Sequence, residues 1–272
     1  ATNAWPDPLA PEALIGPVGG LIETIGPATE ADPAAIVAQT LVAFGNAIGR
    51  VPYFVAEADR HYSNLFACLV GDTSKGRKGT SWGHVIRMMC GIDPVWAADR
   101  LANGLVSGEG LIYHVRDPSV NGRTKDEGID DKRLFVMEPE VASILKAIKR
   151  EKCTLSATIR SAWDSGNLKT LAKNSPVTAT GAHISIVSHV TRNEVRRHLE
   201  ETESANGFAN RFLWFCTKRS KCLPDGGILD PAEFLLQVDV FQRALEFART
   251  VGEIRRDDGE AKRLWHEVYP DL

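Results

Sequence analysis

Residues 65–85 read LFACLVGDTSKGRKGTSWGHV. Leu65 to Val70 is a short apolar run, Gly71 to Ser81 is a turn rich in glycine and small polar residues, and Trp82 to Cys90 has helical character. A strand, a glycine loop and a helix in that order is the layout of a phosphate-binding loop. Glycines let the backbone curl until several N–H groups face one anion. The helix that follows brings the positive end of its dipole to the same point. Lys75, Arg77 and Lys78 crowd three cations into one turn, which is unfavourable unless an anion neutralises them.

The candidate nucleotide-contacting set is Gly71, Ser74, Gly76, Arg77, Lys78, Gly79, Thr80 and Ser81. Lys78 can reach terminal phosphates as a point charge, and Thr80 or Ser81 can offer a hydroxyl to Mg²⁺. Gly71 to Gly76 keeps the spacing of G-x-x-x-x-G-K-[ST]. Arg77 is inserted before Lys78, and Gly79 stands where Ser or Thr should follow. The plainer alternative is a basic surface turn between a strand and a helix.

The chain has 272 residues, 43% of them hydrophobic and 25% charged, the profile of an ordinary globular protein. It contains no apolar run of about 18 residues, so no membrane span is expected. The start, ATNAWPDPLAPEA, has no secretory pattern, and a cytoplasmic location is expected. The ends suggest a piece of something longer. Five cysteines without a Cys-x-x-Cys pair read as reduced thiols rather than a zinc site. A net charge of −3 excludes a whole-surface attraction to nucleic acid, so any DNA contact requires a local basic patch.

Three segments are expected: an N-terminal helical extension over 1–64, an ATPase-like core over 65–225 and a C-terminal helical segment over 226–272. Residues 1–11 read as an extended arm. Asp32 before Pro33 starts a helix that Gly49 ends. The strand candidates are Tyr53–Val55, Leu65–Val70, Leu111–Val115, Leu134–Met137, Ala182–Val187 and Phe212–Cys216. Helices are expected over Pro94–Asn103, from Pro139 onward, near Ile159, over Asn193–Glu203, from Asp230 with Leu235, Val238, Phe241 and Leu245 inward, and over Gly259–Val268. Glu233 stands where it completes a capping box for the Asp230 helix. Strands alternating with helices argue for an α/β fold, a largely parallel sheet with helices on both faces.

Ligands of open α/β sheets bind at the carboxyl ends of the strands, so carboxylates there are the natural metal partners. Glu138 ends a run of four apolar residues and is the candidate Mg²⁺ acid, with Glu140 as the fallback. Glu109, flanked by Gly108 and Gly110, is the candidate general base. His189 or Thr191 is placed to sense a phosphate. Arg211 is a candidate arginine finger reaching a neighbouring subunit, with Arg219 as second choice. The polar stretch Arg116–Arg133 is long enough to be a lid.

Six segments together resemble a known family: GDTSKGRKGTSWGHV, GLVSGEGLIYHVRD, LFVMEPEVASILKAIKRE, TLSATIRSAWD, AHISIVSHVT and NGFANRFLWFCTKRSK. It is a bacterial and phage domain-of-unknown-function family found behind primase-polymerase modules on mobile elements, similar to RecA-like and RepA-like hexameric helicase ATPases. The resemblance implies a RecA-like P-loop fold with ATP and Mg²⁺ as cofactors, and as partners single-stranded DNA, further copies in a homo-oligomeric ring and a primase-polymerase module. It implies Lys78 as the phosphate lysine, Thr80 as the Mg²⁺ hydroxyl, Glu138 as the Walker B acid, Glu109 as the catalytic glutamate and Arg211 as the finger. Two other readings compete with a DNA motor: a monomeric P-loop kinase or NTPase with an arginine-bearing lid, and a non-catalytic DNA-binding assembly module.

Overall fold

The computed structural model describes residues 5–72, 76–121, 124–151, 153–170, 176–199 and 206–271. In chain order the elements begin with α1 (Gly16–Ile25) and α2 (Pro33–Ile48), then β1 (Tyr53–Ala56), β2 (Asp59–His61) and β3 (Phe66–Val70). Next come α3 (Lys78–Ile92), α4 (Pro94–Asp99), β4 (Leu101–Ala102) and α5 (Gly108–Tyr113). A hairpin of β5 (Ser119–Asn121) and β6 (Thr124–Asp126) precedes β7 (Arg133–Glu138), α6 (Val141–Ile148) and α7 (Leu155–Asp164). The chain continues through β8 (Leu168–Lys169), β9 (Thr178–Ala179), β10 (His183–Val190), α8 (Arg192–His198) and β11 (Phe212–Cys216). It closes with α9 (Pro231–Ala248), β12 (Glu253–Ile254) and α10 (Glu260–Val268). No described helix is long and apolar enough to cross a membrane.

Five strands form one all-parallel sheet in the order β11-β3-β10-β7-β4. Every residue of β3 and β10 is buried, as expected of strands covered on both faces. Alternation along the strands sorts the side chains. Phe66, Cys68, Leu134, Val136, Ile184 and Ile186 face α5, α6 and α7. Ala67, Phe135 and Val187 face α1, α2, α3 and α9. The α/β class and the helices on both faces therefore agree with the sequence reading.

Helix α2 shows why the second layer holds. Asp32 accepts the Ala34 N–H at 3.0 Å, Pro33 takes the first position, and Gly49 ends the helix at φ +80°. Eleven of its sixteen residues are buried, so it packs as a core helix against the sheet. At the other end of the chain, α9 packs on α1, α3 and α2.

Four expectations change. Leu111–Val115 is not a strand: Ser107 accepts the Gly110 N–H at 3.0 Å and caps α5, which takes up Leu111 and Ile112. The helix expected over Pro94–Asn103 stops at Asp99, and Leu101–Ala102 pairs with Phe135–Val136 as the sheet's edge. A strand of two residues carries no periodicity to detect. In α9, Phe234 takes the inward position and Leu235 is 64% exposed, because Phe234 lies under the Arg87 guanidinium at the α3 contact. Asp230 caps α9 through the Ala232 N–H, while the reciprocal capping box occurs at Thr191 and Glu194 of α8. The end of the helix expected at Glu203 lies outside the described residues.

Candidate functional site

The site is built on the level carboxyl ends of β10, β3 and β11. Gly71 N–H donates to Val190 O at 3.0 Å, and Thr217 N–H donates to Val70 O at 2.7 Å. These bonds bind three strand ends under one loop. Only glycine fits at 71, because a Cβ there would stand 2.6 Å from Thr217 O. A Cβ at Gly76 would stand 2.9 Å from Asp72 O, so the loop closes tightly on itself. Arg77 then takes a left-handed φ of +49°, and α3 begins at Lys78, one turn earlier than Trp82.

Lys78 spans the loop. Its Nζ donates to Gly71 O at 2.9 Å and Asp72 O at 3.0 Å. Burial lowers the pKa of this ammonium, opposed by the charges of Asp72 and Glu194. Beside it opens a cavity of about 420 Å³ lined by Asp72, Gly76, Thr217, Lys218 and Arg219. The cavity wall carries two cations, Lys218 and Arg219, and one carboxylate, Asp72, with Lys78 behind Gly76 at the start of α3. Ser74 lies outside the described residues.

The two candidate hydroxyls are used differently. Ser81 is fully buried; its Oγ donates to Lys78 O at 2.7 Å and accepts from Gln39 Nε2 at 2.6 Å. Thr80 is exposed on the first turn of α3. Gly79 has open space around its Cβ position, so its role here is not steric.

Glu138 ends β7 and is 5% exposed. Its Oε2 accepts the N–H groups of Gly104 and Leu105, each at 3.0 Å, and among the described residues Oε1 is not engaged. Ser188 is in register with both Cys68 and Glu138, so Glu138 stands two strands from the loop strand, about 10 Å across the sheet. The interposed strand brings His189 to the same end. His189 is 5% exposed, its Nε2 has no partner, and burial with the nearby Lys78 pushes its pKa down to about 4. Thr191 is committed to capping α8.

Other sequence candidates lie elsewhere. Glu109 is exposed in the first turn of α5 and accepts from Thr154 Oγ1 at 3.2 Å. The glycine before it has a packing reason: a Cβ on Gly108 would stand 2.4 Å from Thr158 Oγ1. Glu140 is the N-cap residue of α6. Arg211 precedes β11, whose Phe212 pairs with Phe66, so it lies at the opposite end of the sheet, about 16 Å from the loop along the strand. There it forms a two-pronged pair with Asp164 and donates to Gly207 O at 2.7 Å. The Arg116–Arg133 stretch is also at that end. Its hairpin is tied down by Arg116 to Asp126 at 2.6 Å and Lys132 to Asp117 at 2.8 Å, which is not the position of a lid over the loop.

Glu30 is a site residue that sequence reasoning missed. It pairs with Arg77 at 2.6 Å, stands 3.8 Å from Arg219 and accepts the Leu223 N–H at 2.8 Å. The Leu223 N–H, then Arg219 and Arg77, hold its carboxyl below the usual range. Lys218, Arg219 and Lys221 were legible as a basic cluster. Their place beside the loop follows from the β11–β3 pairing, which no local pattern carries.

Burial of two imidazoles has a measurable consequence. His183 and His189 both titrate near about 4 in the fold, pushed down chiefly by burial, against an ordinary value near 6.5 in the unfolded chain. The unfolded state therefore binds more protons between those values, and stability falls as the pH drops through that window. Urea unfolding is expected to show a plateau above pH 7 and a loss of about 2 kcal/mol per imidazole by pH 5. His189→Gln should remove about half of that slope. An unchanged midpoint from pH 7 to pH 5 contradicts buried neutral imidazoles.

Among the described residues no group of three or more His, Cys, Asp or Glu side chains is placed to hold a metal ion. A Mg²⁺ held by one carboxylate, one hydroxyl and phosphate oxygens requires no such cage. A scan against protein-family models matched none, and a search of curated proteins returned no match.

Proposed function

We propose that the chain is a Mg²⁺-dependent ATP hydrolase of the phosphate-loop type, working as an oligomeric motor on single-stranded DNA. The observation that carries the ATPase reading is Lys78. Its ammonium lies between the two ends of a glycine loop, at the start of a helix, beside a cavity with two further cations. Glu30 answers Arg77 and Arg219, and Asp72 stands beside Lys78, so the cations are partly balanced within the chain; Lys78 and Lys218 are the charges a triphosphate would meet. The DNA and ring parts rest on the six-segment resemblance.

The donor chemistry of the residues present supports ATP and Mg²⁺ in the following roles. The loop N–H groups and Lys78 would hold the β- and γ-phosphates, with Lys218 and Arg219 closing the cavity from β11. Thr80 and the unengaged Oε1 of Glu138 would hold Mg²⁺, which supplies charge neutralisation on the phosphates. Hydrolysis needs fixed positive charge where negative charge develops, and these side chains supply it without rearrangement of the sheet. His189, neutral and with Nε2 unpaired, lies at the end of β10 near Lys78, where it would sense a phosphate oxygen. Glu109 is the base only as the resemblance implies it; in the fold it is exposed on α5 and bonded to Thr154 Oγ1. Arg211, paired with Asp164 at the far end of the sheet, would act only on the loop of a neighbouring copy.

The test is phosphate release from Mg·ATP by the purified chain, with and without single-stranded DNA. Stimulation by DNA supports the motor; turnover indifferent to DNA leaves a hydrolase of another substrate; no turnover and no ATP binding removes the phosphate-loop reading. The hydroxyl assignment has its own check. Ser81→Ala should cost about 1–2 kcal/mol in urea unfolding, because it strands a Gln39 N–H. Thr80→Ala should leave the midpoint in place and raise the Mg²⁺ concentration needed for half-maximal hydrolysis. The reverse pattern reassigns the metal to Ser81.

A further inference from the structure

The N-terminal arm lies beside the candidate site. Trp5 lies under the guanidinium of Arg192, 4.1 Å from the ring centroid, and Arg192 is the first residue past Thr191 at the end of β10. A few residues later the arm meets the start of α2 and the end of β11. β3 runs between β10 and β11, so the arm crosses the end of the phosphate-loop strand. Under it is a cleft of about 190 Å³ whose walls include Trp5, Pro6, Pro8, Pro33, Cys216 and Lys218. Lys218 also lines the 420 Å³ cavity at the loop, so the two spaces meet at that side chain.

The chemistry of the cleft differs from that of the loop. Its walls are proline rings, an indole and a thiol, with one cation at the junction. Asp32 is already committed, accepting from Ala34 N and Lys218 N. Asp7 lines the same cleft, and its carboxylate is unengaged among the described residues. A mixed slot with an indole and three prolines on its walls, polar groups at its rim and one unengaged acceptor suits a purine: rings stack, and a ring amino group donates to the carboxylate. Arg192 covers one face of Trp5, which leaves the other face for a stacked base.

We propose that the arm cleft, with Trp5 as its stacking residue, takes the purine base of the nucleotide whose phosphates lie at Lys78. This rests on the phosphate-loop reading above. The arm is then a strap that selects nucleoside triphosphates over bare polyphosphate.

The experiment measures dissociation constants of Mg·ATP and of Mg·tripolyphosphate on the full chain, for wild type, Trp5→Ala, Trp5→Phe and Lys78→Ala. Trp5→Ala is expected to weaken ATP about tenfold and leave tripolyphosphate unchanged, with Trp5→Phe retaining most of the ATP affinity. ATP affinity unchanged in Trp5→Ala overturns the base site while leaving the loop intact. Equal losses for both ligands in Trp5→Ala also overturn it, because the arm then acts through the fold. If Lys78→Ala leaves tripolyphosphate binding unaltered, the loop reading itself fails and takes the base site with it.

Discussion

Lys78→Ala is expected to lower Mg²⁺-dependent ATP hydrolysis by about 10²- to 10³-fold. The size follows from where the ammonium stands. It is half-buried, so its field on a phosphate is screened less than that of a surface lysine. It is also fixed by two carbonyls, Gly71 O and Asp72 O, and so needs no reorganisation when charge develops nearby. The same two bonds explain why the fold should survive. They are made to two loop carbonyls, where water can replace the lysine. Far-UV circular dichroism and the urea midpoint should therefore match wild type while phosphate release collapses. Lys78→Arg tests geometry separately from charge, since a planar fork cannot occupy the position of a point charge between two carbonyls. Hydrolysis within threefold of wild type in Lys78→Ala would sink the assignment of this lysine.

The parts of the site legible in the sequence are those carried by one contiguous segment. The run Leu65 to Ser81 encodes a buried strand, a tight glycine turn and a cationic helix start, and all three lie within one stretch whose spacing can be read. Glu138 was legible for the same reason, as an acid closing an apolar run. What could not be read depends on pairing. Lys218 and Arg219 reach the loop only because β11 lies beside β3, and Arg211 is removed from it by the same pairing, since five residues of strand separate the two ends. Glu30 joins the loop through an ion pair to Arg77 across 47 residues of sequence, as the numbering shows. Glu109 stands beside a local signal with a packing cause. Gly108 before it does mark a close approach, and that approach is between α5 and α7. The edge strand Leu101–Ala102 has too few residues for any period, so only the sheet reveals it.

Asn46→Ala should be among the most destabilising single changes outside the site, at about 4 kcal/mol. Asn46 is fully buried in α2 and ties four elements together. Its Nδ2 donates to Leu134 O at 3.1 Å, His183 O at 2.9 Å and Ser185 Oγ at 3.2 Å, while its Oδ1 accepts from Trp96 Nε1 at 2.8 Å. The indole N–H can only donate, which fixes the orientation of the amide. Alanine would strand that N–H, already wholly enclosed, and leave carbonyls at the starts of β7 and β10 without their donor. Each stranded group costs about 1–3 kcal/mol, because no water reaches it. The lost amide volume adds a small cavity beneath Phe135, which packs edge-on against Trp96 with ring centroids 5.6 Å apart. The expected readout is a drop of about 8–16 °C in the thermal midpoint. Asn46→Asp separates the two halves of the bond set. It keeps an acceptor for Trp96 but loses every donor and buries a charge, so it should be at least as damaging as alanine at pH 7. A loss under 1 kcal/mol for Asn46→Ala would mean that the helix layer and the sheet are held together by apolar packing alone. The α2 face supplies enough of that packing, through Ile36, Val42, Ala43 and Ala47, to make this the competing account.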